Sequence, residues 1–188
     1  MLRLILAYGV AAGLIVAAPM FAMLTLAPRN DIATSPLTGY LIMMLALSLV
    51  FVGVKRYRDR VQGGVIKFMP AFLTGLAISA VAGVIYVIGW EITLAATDFA
   101  FIDGYSDAMI AAERAKAGVT PADIARISAQ MAEFRTQYAN PLFRLPMTFI
   151  EIFPVGLLIA LISAALLRNP RFLPARAASA FEPPRQAR

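Results

Sequence analysis

The chain has 188 residues, 60% of them hydrophobic and only 15% charged, with a mean hydropathy of +0.75. That leaves too little polar surface to cover a soluble domain of this size. It contains no cysteine and no histidine, which excludes disulfides, thiolate and imidazole metal sites, thiol nucleophiles and the commonest general base. The formal charge of +6 gathers beside apolar segments, so it is read as a signal of membrane orientation and not of nucleic-acid binding.

The first apolar run, Leu2 to Ala27, starts beside Arg3 and ends before Pro28, Arg29 and Asn30. It is longer than the roughly 7 to 15 residues of a signal-peptide core and lacks a clean small-x-small cleavage site, so a retained helix is expected. Gly9 and Gly13 form a small-xxx-small pair that lets another helix backbone approach closely. The second run, about Leu37 to Val54, follows the Ser35-Pro36 break and ends in KRYRDR. Lys55, Arg56, Arg58 and Arg60 against Asp59 are read as a basic hairpin, with Gly63 and Gly64 as its turn. Such a cluster marks a cytoplasmic loop and attracts anionic headgroups. A phosphate site is the sharper alternative, but no glycine-rich loop follows a strand here.

The third run, about Phe68 to Leu94, carries Pro70 in its first turn, where a missing amide hydrogen is tolerated. Gly75, Ser79 and Gly83 make a second close-packing ridge. Tyr86 and Trp90 near the far end are read as interfacial aromatics. Residues from about Ala95 to Pro141 form the one long polar region, mildly acidic and without a positive-inside signal, so it is expected on the extracytoplasmic side. Thr120-Pro121-Ala122-Asp123 has the pattern of a helix start. From there Ile124, Ile127, Met131, Phe134 and Tyr138 recur at helical spacing, as do Ile102, Tyr105, Met109 and Ala112 upstream, with Gly118 as a left-handed cap. Two amphipathic helices are expected, their stripes facing each other or the top of the bundle; a ligand or partner groove is the less favoured reading of those stripes.

Asn140-Pro141 then breaks the helix, and Arg144 and Pro146 lead into a fourth span, about Met147 to Leu167, where Gly156, Ala160 and Ala164 repeat the small-residue spacing. The fold class is therefore an all-α membrane protein: four transmembrane helices, each about long enough to cross roughly 30 Å of hydrocarbon, with an extracytoplasmic helical hairpin between the third and fourth. Residues 1–167 form one domain with the insert at about 95–141. Residues 168–188, rich in arginine and proline, are expected to be a disordered cytoplasmic tail. Both termini and the basic turn share the cytoplasmic side.

Two carboxylates, Glu91 and Glu151, fall inside spans, where an ionisable group is costly enough to demand a reason. Each is placed roughly 6 Å below the same boundary, so a level pair is expected, with Thr93 and Thr148 at similar depth. Such a pair shares a proton or a cation, while Arg144 neutralising one of them makes the group a structural tie between helices. Pro154 cannot donate to the carbonyl of Ile150 and tends to kink the helix beside Glu151. No catalytic set, metal site or cofactor motif is recognisable.

The order of GYLIMMLALSLVFVGVKRYRD, then the GG turn with IKFMPAFLTGLAISAVAGVIYVIGWEI, then YANPLFRLPMTFIEIFPVGLLIALISAALLR, resembles the membrane family called domain of unknown function 4199 (DUF4199). The similarity covers nearly the whole chain. It implies a bacterial four-helix membrane protein and carries Tyr57, Arg58, Asp59, Asn140, Pro141, Thr148, Phe149, Glu151, Pro154 and Gly156 as motif positions, without an activity. Lys67-Phe68-Met69-Pro70 and the proline-rich tail depart from the family pattern.

These readings point to a non-enzymatic accessory, assembly or scaffold component of the bacterial inner membrane, forming a homo-oligomer or binding a partner membrane protein through its small-residue ridges. The alternatives are a small ion- or proton-coupled transporter using Glu91 and Glu151, and a membrane enzyme acting on a lipid-linked substrate.

Overall fold

The computed structural model describes residues 1–26 and 36–175. The expected Ser35 break, the end of the first run from Ala27 and the expected disorder from Arg176 onward lie outside the described residues. Six helices follow in order: α1 Leu2–Leu26, α2 Pro36–Val61, α3 Phe68–Ala96, α4 Ala100–Arg114, α5 Pro121–Ala139 and α6 Pro141–Leu167. Four of them are long and apolar enough to cross a membrane, over Leu2–Thr25, Gly39–Val61, Phe68–Ala96 and Pro141–Leu167. The chain is an all-helical membrane protein.

Helix α3 is the central element, packed between α1 and α6, with α2 lying against all three. The small-residue ridges make this packing possible. A Cβ added at Gly13 would stand 2.6 Å from the Ile85 Cβ of α3, and one at Gly156 would stand 2.7 Å from the Ser79 Cβ. Real Cβ contacts do not come so close, so these backbones approach only because the side chains are missing. Gly75 meets Ala160 and Gly83 meets the Phe149 ring in the same α3–α6 seam. The ridges expected to bind a partner are thus occupied by the chain's own helices.

Three helix limits differ from the sequence reading. Helix α2 continues to Val61 and carries KRYRDR in its last two turns, where cations favour the negative helix end; only Gly63 and Gly64, at φ 66 and 91, form the turn. Helix α4 ends at Arg114 with Ala115 as its right-handed cap, and Gly118, at φ 76, belongs to the connection beyond. Helix α6 starts at Pro141, six residues before the expected Met147, because the Asn140 side chain caps it by accepting from the Leu142 amide at 3.0 Å. Proline is tolerated in membrane helices where neighbours re-satisfy the backbone, so Pro146 lies inside α6 and does not precede it.

The start of α5 follows the sequence pattern. Thr120 and Asp123 form a reciprocal capping box with Pro121 in the first turn. The aromatic stripes of α4 and α5 meet, with Tyr105 and Phe134 ring centres 6.1 Å apart. Arg135 of α5 reaches both Asp103 and Asp107 of α4.

Candidate functional site

Because α6 begins at Pro141, Arg144 lies one turn inside it, against the end of α3. Arg144 is 4% exposed, and its guanidinium grips Glu91 with two parallel bonds, Nε to Oε1 and Nη2 to Oε2, each 2.7 Å. The remaining nitrogen, Nη1, donates to the carbonyls of Tyr138 at 2.9 Å and Ala139 at 3.4 Å. Those carbonyls belong to the last turn of α5, the negative end of its dipole. The Phe99 ring lies 5.2 Å and the Tyr138 ring 5.7 Å from the guanidinium carbon, within cation–π range. One side chain therefore joins α3, α5, α6 and the α3–α4 corner.

That corner is strained to reach it. Asp98 and Phe99 adopt left-handed backbone angles, φ 50 and 57, which costs a non-glycine residue on the order of 1 kcal/mol or more. The Phe99 amide, donating to the Leu94 carbonyl at 2.8 Å, closes α3. Below the corner, Trp90 Nε1 donates to the Tyr138 hydroxyl at 2.7 Å, and the Trp90 ring meets Phe101 edge-on at 4.8 Å. Trp90 and Tyr86 are both buried and so are not the interfacial aromatics expected; their polar atoms find partners inside the protein. Burial pushes the Tyr138 hydroxyl above its ordinary pKa.

Glu151 stands apart from this node. Its Oε2 accepts from the Tyr86 hydroxyl at a long 3.5 Å, and the same hydroxyl is 3.7 Å from the Met20 sulfur of α1. Arg144 and Glu151 are seven residues apart on one helix, about 10 Å along its axis. The two carboxylates are therefore not level: Glu91 meets Arg144 near the end of the span, and Glu151 lies deeper. The early start of α6 causes the difference. Thr93 and Thr148 do not join either site, since their hydroxyls donate to the carbonyls of Gly89 at 2.8 Å and Arg144 at 3.0 Å. Among the described residues, no group of three or more carboxylates is placed to hold a metal ion.

The opposite end of the bundle holds a second buried cation. Arg58 is fully buried and donates to Asp59 at 2.7 Å, to the Phe172 carbonyl at 2.9 Å and to the Leu173 carbonyl. Lys55 reaches the other Asp59 oxygen at 2.5 Å, and Phe172 packs edge-on against Phe51. Tyr57 accepts from Gln62 at 3.0 Å. The segment after α6 is thereby fastened to α2. Arg56, Arg60, Lys67, Arg168 and Arg171 remain exposed on this basic face. Sequence reading took Arg58 for one more surface cation, and its neighbour Asp59 was the signal that it had a partner.

An apolar groove of about 480 Å³ runs between α3 and α6, lined by Val84, Val87, Ile88, Pro141, Leu142, Leu145, Pro146, Phe149 and Ile150. It contains none of the ionisable residues. Of the motif positions, Asn140 and Pro141 start α6, Phe149 and Gly156 build the α3–α6 seam, and Pro154 is exposed.

No curated protein and no solved structure matches the chain. A family model described as Protein of unknown function (DUF4199) matches residues 7–169, which takes in the last three spans, most of the first, the α4–α5 insert and the Arg144 node. The chain belongs to the DUF4199 family.

Proposed function

We propose that this protein is a non-enzymatic accessory, assembly or scaffold component of a bacterial inner membrane. The observation that supports it most is the Arg144 node. An arginine whose nitrogens bond a carboxylate and the last carbonyls of α5 fixes the foot of the α4–α5 insert to the third and fourth spans. The insert is then a rigid platform, with Phe99, Tyr105 and Met109 as exposed apolar contact points. Basic residues at the α2–α3 turn and after α6, set against the acidic insert, support cytoplasmic termini and an extracytoplasmic insert.

A photo-crosslinking amino acid at Tyr105 in cells tests this reading. A discrete protein adduct is expected, lost in Arg144→Ala while the chain remains inserted. An adduct pattern unchanged by Arg144→Ala contradicts it. A small proton- or ion-coupled transporter is the second reading, favoured by Glu151, exposed partway along α6. Liposome flux identical in Glu151→Gln and wild type removes it.

A further inference from the structure

Glu151 is the eleventh of the 27 residues of α6, so it lies near mid-bilayer, where a bare charge is expensive. Among the described residues no Lys or Arg pairs with it, in contrast to Glu91. One residue earlier is a second acceptor, the Ile150 carbonyl, which Pro154 has no amide hydrogen to satisfy. Both residues belong to an exposed stripe of α6 comprising Ile150, Glu151, Pro154, Leu158 and Ile162. The buried Tyr86 hydroxyl donates to the carboxylate from behind, at 3.5 Å. A carboxylate beside a carbonyl that lacks its Pro154 donor, on an exposed helix face, matches a cation with several N–H donors.

We propose that this face of α6 docks a transmembrane helix of a different protein carrying Lys or Arg near its midpoint. A second copy of the chain does not supply that cation. Away from the basic ends of α1 and α2, the only Lys or Arg within the four spans is Arg144, already committed to Glu91. The inference rests on the accessory reading and names the partner's chemistry.

The test places the full chain in phosphatidylcholine vesicles with leucine-rich host helices bearing Lys, Arg or Leu at the centre, and measures association by energy transfer. The Lys and Arg hosts should associate about tenfold more tightly than the Leu host. Glu151→Gln should abolish that preference and Asp103→Asn, on the insert, should keep it. Equal association of all hosts, or a preference that survives Glu151→Gln, overturns the proposal. So does modification of Glu151 by a lipid-soluble carbodiimide together with equal association, which marks a lone protonated acid. If the hosts fail while the Tyr105 adduct persists, the docking face is wrong and the accessory reading stands.

Discussion

Arg144 and Glu91, 53 residues apart in sequence, meet through two 2.7 Å hydrogen bonds at the junction of α3, α5 and α6. Glu91 keeps 29% of its side chain exposed and Arg144 5%, so the cation is the more deeply buried partner. The planar fork suits a bidentate pair as an ammonium does not. Lysine at position 144 is therefore expected to restore only part of the stability that alanine loses.

The α3–α6 seam predicts a contrast between glycines. Gly156→Leu drives a side chain into Ser79 and should destabilise the folded chain by about 1–3 kcal/mol, visible as a lower midpoint in detergent unfolding. Gly104→Ala, on α4 with nothing within 4 Å of an added Cβ, should be neutral or stabilising by roughly 0.5–1 kcal/mol.

Arg58 predicts a local effect at the basic face. Arg58→Ala removes the donors to Phe172 and Leu173, and charged hydrogen bonds of this kind are worth about 1.5–3 kcal/mol each at most. Trypsin cleavage after Arg168 and Arg171 should quicken several-fold, with α3 and α6 still protected in hydrogen exchange.

The insert predicts an acid-sensitive helix start. The Thr120 hydroxyl and amide hold the Asp123 carboxyl below its ordinary pKa of 3.8. A depressed folded pKa contributes stability that is complete above the unfolded value and lost as the pH falls through the folded one. Exchange protection of the first α5 amides should therefore hold at neutral pH and fall below about pH 4, and Thr120→Ala should lower it at every pH.

The absence of native cysteines makes orientation directly testable. Ala115→Cys on the insert should react with a membrane-impermeant maleimide in intact cells, whereas Gln62→Cys should react only after permeabilisation. The reverse pattern contradicts the proposed topology.

Hydropathy made the four spans legible, and the cap chemistry of Thr120 and Asp123 made the start of α5 legible as well. The ionisable residues inside the spans also stand out in the sequence, but which of them meet does not. That depends on where α6 begins, and Pro146 looked like a boundary because proline breaks helices in water more readily than in a packed membrane bundle. Six residues of error there moved Glu151 about 9 Å relative to Glu91. Tyr138 passed as one member of an apolar stripe, since periodicity marks a buried face and says nothing about a hydroxyl's partner. The glycine ridges were recognisable as close-packing surfaces, but periodicity does not say whether the neighbour belongs to the same chain.

A double-mutant cycle on Arg144→Ala and Glu91→Gln, read by unfolding of the full chain in detergent, tests the node most directly. Arg144→Ala alone should cost roughly 3 kcal/mol, toward the low end for a broken buried pair because Glu91 is partly exposed. The double variant should be little worse than that single one, giving a coupling above about 1 kcal/mol. Additive losses would mean that the two side chains do not act together, and the insert would then lack the tie on which its rigidity rests.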